Sequence, residues 1–227
     1  MERYSEIKGN FAREFLLLQG QGCRWKKCTY CDYYNDISGN AYEINKEVLK
    51  KVTGKTGVID IINSGSIMEV DSDTINMIKD VIKSKNINTI WFEAHWMYRK
   101  YLKKFAKQFE GIDVKYRVGV ETFDTKLRDK WNKGIPSDVT PLEIANYFNG
   151  VCLLVGIKGQ SFESIKNDIE IASKYFEYFS VNIFIENSTN EKRDEELIKR
   201  FIEEIYPSLK ENPKAEILIN NTDLGVG

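Results

Sequence analysis

The sequence predicts an α/β fold: a partial, open, parallel (β/α)6-type barrel with one extra C-terminal strand. Three observations predict it. Seven short apolar runs recur along the 227 residues, and amphipathic stretches fill the spaces between them. Strands alternating with helices imply right-handed crossovers and a parallel sheet covered by helices. The runs are continuously apolar, as in Leu16-Leu17-Leu18 and Val58-Ile59-Asp60-Ile61-Ile62, which is the pattern of strands buried on both faces. A closed eight-fold barrel takes roughly 250 residues. This chain offers about six strand–helix units and a final strand, so an open barrel fits it better.

In chain order the strand candidates are 13–19, 58–64, 89–95, 114–121, 151–157, 179–186 and 215–221. Helices are expected where apolar residues recur at three- and four-residue steps. Leu102, Phe105, Ala106 and Phe109 form one such set, and Phe162, Ile165, Ile169, Ala172 and Phe176 a second. Leu197, Phe201, Ile205 and Leu209 mark a last helix, with the charged run 190–199 as its solvated start. Asn212-Pro213 separates that helix from the final strand. No linker, repeat or low-complexity tract interrupts the pattern, so a single domain over 1–227 is expected.

Composition excludes several classes. Hydrophobic residues make up 42% and charged residues 30%, ordinary for a globular protein. No apolar run approaches the ~20 residues of a membrane span, and the polar start MERYSEIKGNF does not read as a signal peptide, so a cytoplasmic location is expected. The formal net charge is −1. Nucleic-acid binders need a basic excess to meet phosphates, and Arg24, Lys26 and Lys27 are too short a run to provide one. A nucleic-acid partner is therefore not expected.

Of four cysteines, Cys23, Cys28 and Cys31 lie within nine positions, directly after the first strand candidate. Their spacing is C-x4-C-x2-C. In a reducing compartment such a cluster is more often a metal or redox site than a disulfide framework. A structural zinc site takes four Cys or His ligands, but the only histidine is His95 and Cys152 sits in an apolar run as a small core residue. Iron–sulfur cubanes are held by thiolates. Three cysteines would leave one iron of a 4Fe-4S cluster open to another ligand. The residues leave three readings: such a cluster, a zinc loop completed elsewhere, and incidental core or redox thiols.

With Tyr30 immediately before Cys31, the loop resembles the cysteine loop of the radical S-adenosylmethionine (SAM) superfamily. It departs by one extra residue between the first two cysteines. Further segments carry the resemblance along most of the chain. Asn63-Ser64-Gly65-Ser66 follows the second strand candidate, where the superfamily binds the amino group of the cofactor's methionine moiety. Val118-Gly119-Val120-Glu121-Thr122, with Asn132-Lys133-Gly134 after it, is similar to a segment of the Elongator-like branch. Gly156-Ile157-Lys158-Gly159-Gln160-Ser161-Phe162-Glu163 is similar to the element beside the adenine, although a strand-end glycine is ordinarily a turn and Glu163 a helix-start carboxylate. Val181-Asn182-Ile183-Phe184 occupies the strand that touches the adenosyl group. The resemblance implies Cys23, Cys28 and Cys31 as cluster ligands. It implies Tyr30, Asn63, Ser64, Gly65, Glu121, Gly156, Asn182 and Phe184 around SAM, and a reducing donor such as flavodoxin or ferredoxin.

Trp91-Phe92-Glu93-Ala94-His95-Trp96 ends the third strand candidate with a carboxylate, an imidazole and an indole. Ligands bind at such strand ends. Glu93, His95 and Trp96, with Asp32 and Tyr33 from the cysteine loop, are the substrate-wall candidates. A structural histidine and a packed indole are the plain alternatives for His95 and Trp96, whereas a glutamate in an apolar strand needs a partner. Segments 23–34, 63–66, 91–101 and 121–135 resemble a branch of the superfamily that cleaves the free base queuine in queuosine salvage. A carboxylate can accept from the N1–H and 2-amino group of a guanine-like edge, which suits that substrate. A radical SAM enzyme of tRNA or of another small molecule, and a non-catalytic iron–sulfur or zinc module, are the rival expectations. No acid or base is assigned from sequence.

Overall fold

In the computed structural model, which describes residues 1–226, contacts divide the chain into two compact units. Neither unit is one continuous stretch. The first comprises Met1–Lys26, Tyr33–Tyr116 and a C-terminal segment from Asn221; the second comprises Lys27–Asp32 and Arg117–Asn220.

The first unit holds β1 (Tyr4–Ile7), β2 (Arg13–Leu18), β3 (Val58–Asn63), β4 (Thr89–Glu93) and the opening residues of β5 (Asp113–Glu121). β2 through β4 pair in parallel, with Leu18 opposite Asn63 and Ile61 opposite Phe92. That register brings the carboxyl ends of β2 and β3 level, so the loops after them start side by side. Helices α1 (Ala41–Lys50), α2 (Ser72–Ser84) and α3 (Leu102–Ala106) connect the strands. The Asp71 side chain starts α2 by accepting from Thr74 N–H, a cap worth about 1 kcal/mol. Leu16, Leu18, Ile59, Ile61, Ile78, Ile90 and Phe92 are fully buried. At the opposite strand ends Arg13 and Asp60 form a buried pair at 2.8 Å. Buried Glu14 accepts from Tyr4 Oη, Thr53 N and Gly54 N and fixes the turn before β3.

The second unit holds the rest of β5, then α4 (Thr125–Lys130), α5 (Pro141–Ala145), β6 (Gly150–Val155), α6 (Phe162–Tyr175), β7 (Tyr178–Ile183), α7 (Glu195–Glu204), α8 (Tyr206–Leu209) and β8 (Ala215–Leu218). β5 to β8 pair in parallel in chain order. Ser161 and Asp194 cap α6 and α7. Val118, Val120, Phe148, Val151, Phe179, Val181 and Phe201 form its buried core.

All seven expected strands are present, most of them shorter at the carboxyl end than the apolar runs suggest. Three differences have local causes. β1 is an additional antiparallel edge strand, only four residues long and pairing Tyr4 with Leu16. The helix expected around 102–109 opens as a 3-10 turn over Trp96–Tyr101 and stays α-helical only through Ala106. The last helix is divided after Glu204, because Pro207 has no N–H to continue the ladder. Among the described residues, no helix is long and apolar enough to cross a membrane.

Candidate active site

In the second unit the segment Lys27–Asp32 lies against the end of α4. Thr29 N–H donates to Trp131 O (3.2 Å) and the Cys28 thiol to Asn132 O (3.9 Å). Tyr30 meets Trp131 edge-on at 5.7 Å, and the two join Leu127, Leu154, Ile157 and Phe184 in an apolar cluster against Cys28 and Cys31. The structure thus brings Tyr30 and Phe184, remote in sequence, to the same two thiols. Burial, then the Glu121 carboxylate and the Cys28 and Cys31 sulfurs, pushes the Tyr30 hydroxyl well above its ordinary range. The far end of the segment is tied down as well. Asn187 Nδ2 donates to Tyr30 O (2.8 Å), and Asp32 Oδ2 accepts from Ser188 N (3.0 Å) and Oγ (2.8 Å).

Glu121 ends β5 in left-handed backbone, at φ 68°, beside a register shift in the β5–β6 pairing. Its carboxylate pairs with Lys133 Nζ at 2.8 Å, and both side chains are nearly buried. A Cβ at Gly119 would collide with this pair, so the bare backbone there makes its room. Gly156 (φ 97°) has its N–H and carbonyl engaged within the chain, with Gln160 Oε1 and Asp194 N respectively. Asn182 Oδ1, on β7, is buried without a hydrogen-bond partner. Glu163 points to solvent near Lys166 at the start of α6.

In the first unit Cys23 Sγ accepts from Lys26 N at 3.4 Å. Lys26 lies at φ 45°, and its ammonium sits 4.4 Å over the Tyr34 ring. The loop after β3 approaches this turn closely: a Cβ on Gly65 would lie 3.0 Å from Cys23 Cα. Gly65 N–H donates to Asn63 O (2.7 Å) and Asn63 Nδ2 to Ser66 O (3.2 Å). Asn63 Oδ1 and Ser64 Oγ are buried without partners. Glu69 ends the following 3-10 turn and accepts from Arg24 N, Ser66 N and Tyr98 Oη.

The substrate candidates divide by role. Glu93 is the half-buried last residue of β4. The His95 ring stacks on Trp25 at 5.1 Å, and its Nδ1 accepts from Met97 N (3.2 Å), capping the 3-10 turn. Nδ1 as acceptor places the proton of the neutral ring on Nε2. Trp96 is buried, with the Arg99 guanidinium 4.3 Å above its ring. Tyr33 is 63% exposed on its own short turn. Trp25, Glu69, Asn187 and Ser188 were not found as site residues from sequence. Only Glu69 had a signal: Ser66-x-x-Glu69 is the capping-box pattern.

The donor set fits the cofactors implied by the resemblance. Cys23, Cys28 and Cys31 are half-buried thiols outside any disulfide, within nine positions of the sequence. Asn63 Oδ1, Ser64 Oγ and Asn182 Oδ1 are buried acceptors lacking a donor, and an ammonium or ribose hydroxyls would supply one. Among the described residues, no group of three or more His, Cys, Asp and Glu side chains converges as a single-ion site does.

No family model matches the chain. A solved structure of queuine lyase from Clostridium spiroforme bound to SAM and queuine is 44% identical, covers 100% of this chain and 99% of that one, and superposes with a TM-score of 0.95. Streptococcus suis SuiB bound to S-adenosylmethionine is 17% identical, covers 92% of this chain and 48% of that one, and gives a TM-score of 0.56, a likeness of fold alone. Among curated proteins the heme chaperone HemW of Buchnera aphidicola is 26% identical over 168 residues, 65% of this chain. The chain spans 44% of that relative's length. The partial-barrel expectation agrees with the full-length likeness.

Proposed function

This chain belongs to the queuine lyase family of radical SAM enzymes, and we infer from that premise that it cleaves free queuine to 7-aminomethyl-7-deazaguanine in queuosine salvage. The observation that carries this is the three-cysteine loop in a chain that matches a queuine-bound lyase over its whole length.

A 4Fe-4S cluster and SAM, held by the residues below, would supply reductive radical chemistry at a substrate C–H. The residues of the chain hold and shield this chemistry. Cys23, Cys28 and Cys31 hold the cluster. Tyr30, Trp131, Leu154, Ile157 and Phe184 give Cys28 and Cys31 an apolar backing that keeps water away. Asn63, Ser64 and Gly65 receive the methionine end, Gly65 by letting backbone come close. Glu121, held by Lys133, along with Asn182 and Phe184, receives the ribose and adenosyl parts, beside Gly156. Of the substrate candidates, Glu93 at the end of β4 is the group that would meet the base, its carboxylate accepting from the guanine-like edge. Orientation of the reacting C–H is the protein's main lever on rate. We place the reaction in the cytoplasm, with flavodoxin or ferredoxin as the electron donor.

The test is anaerobic reconstitution with iron and sulfide, reduction, and mass spectrometry after adding SAM and queuine. The expected products are 5′-deoxyadenosine and 7-aminomethyl-7-deazaguanine. Intact queuine beside 5′-deoxyadenosine would overturn the substrate. Absence of 5′-deoxyadenosine from protein carrying a full cluster would overturn the chemistry itself.

A further inference from the structure

Glu69 is only 3% exposed, and it closes a three-residue 3-10 turn rather than sitting in a strand or long helix. Both oxygens of its carboxylate are engaged. Oε1 accepts from Arg24 N (3.0 Å) and Tyr98 Oη (2.9 Å), and Oε2 from Ser66 N (2.8 Å). Its backbone carbonyl accepts from Gln21 N at 2.9 Å. These partners come from three places in the sequence. Arg24 follows Cys23, Ser66 follows the Asn63-Ser64-Gly65 run, and Tyr98 belongs to the turn that carries His95 and Trp96.

A buried carboxylate is costly, and these partners are neutral groups, two backbone N–H and a phenol. Bonds to a charged acceptor are short and directional, so the arrangement fixes its donors more firmly than a neutral hub would. Gly65 shows how tight the junction is. A Cβ there would collide with Glu69 Oε2 and press on the Cys23 backbone. Ser66 extends the junction, because its Oγ accepts from His95 N at 2.8 Å.

We propose that Glu69 is a positioning residue for SAM. It fixes the spacing between the Cys23 turn and the unpartnered oxygens of Asn63 and Ser64, and it ties the His95–Tyr98 turn to both. The proposal rests on the radical SAM reading. It differs from a purely structural role in what it predicts: loss of the carboxylate weakens the cofactor response of protein that is still folded.

Glu69→Gln keeps the volume but replaces one acceptor oxygen with a donor, so it loses the bonds on one side of the carboxylate. The experiment compares wild type, Glu69→Gln and Tyr98→Phe. In metal-free protein, amide exchange is expected to quicken about tenfold in Glu69→Gln at whichever of Arg24 and Ser66 faces the new amide nitrogen, with the β2 and β3 amides unchanged. In loaded protein, iron content stays at the wild-type level. The SAM concentration that half-converts the electron paramagnetic resonance signal of the reduced cluster rises about tenfold, the KM for SAM rises with it, and kcat changes less. Tyr98→Phe shifts that midpoint in the same direction and by less. A wild-type SAM midpoint in folded Glu69→Gln overturns the proposal, even if the variant melts earlier. If Glu69→Gln does not accumulate, an unchanged midpoint in Tyr98→Phe overturns it. A wild-type cluster that gives no response to SAM overturns the radical SAM reading instead.

Discussion

Glu121 is held in left-handed backbone at the end of a strand, a conformation that costs a non-glycine residue on the order of 1–3 kcal/mol. The ion pair with Lys133 holds it there, with both side chains in a space that Gly119 leaves open. Lys133→Met should therefore destabilise the protein by about 3–5 kcal/mol, because it leaves a carboxylate buried and unpaired. Adding Glu121→Gln should recover much of that loss, since the charge goes with its partner. Denaturant titration of the two variants checks this; a single-variant loss below about 1 kcal/mol would refute the buried-pair account. At this scale the sequence was partly legible. A strand-end Val-Gly-Val-Glu-Thr run and an Asn-Ser-Gly-Ser run announce themselves through glycine and clustered polar groups. The positive φ of Glu121 and the Glu69 junction do not, because they depend on partners that only the folded chain supplies.

Elements were more legible than their ends. Parallel strands such as Leu16-Leu17-Leu18 are continuously apolar and stand out, but the flanking residues that complete an apolar run leave the ladder early. β1 is short, half-exposed and antiparallel, and so carries little periodic signal. Helix α6 shows what its apolar period conceals. Asp168 lies within it, 2% exposed, and accepts from Phe123 N at 2.6 Å, joining α6 to the loop after β5. Burial pushes its carboxyl up to about 7, against the lowering effect of Phe123, Thr122 and Arg128, while Asp124 adds to the rise. The folded protein thus keeps a proton that the unfolded chain releases near pH 4. Stability from this group is complete below about pH 4 and is lost as pH rises toward 7. The denaturation midpoint of the metal-free protein should fall between about pH 4 and about pH 7 and level off above that. Asp168→Asn, which can still accept from Phe123 N, should flatten that fall. An equal slope in the variant would assign the pH dependence to other groups.

Across the whole molecule, charge was legible and the division into units was not. Lys27–Asp32 belongs to one unit and the residues on either side of it to the other, a split made by non-local contacts that no local pattern encodes. Charge needs only counting: 33 basic against 34 acidic residues. The folded chain also neutralises basic groups locally, since Lys46, Lys50 and Arg200 pair with Glu43, Glu47 and Glu204 on their own helices. Such exposed pairs add little stability, yet they leave those helices without a basic face. Arg24, Lys26 and Lys27 form too short a basic run to track a phosphate backbone. The free base, rather than the base within a tRNA, is therefore the expected substrate. In one reaction mixture near physiological salt, free queuine should be consumed while queuosine in tRNA persists, and excess tRNA should not slow queuine turnover. Competitive inhibition by tRNA that weakens steeply with added salt would reverse the conclusion, because each phosphate contact adds about one unit to the salt slope.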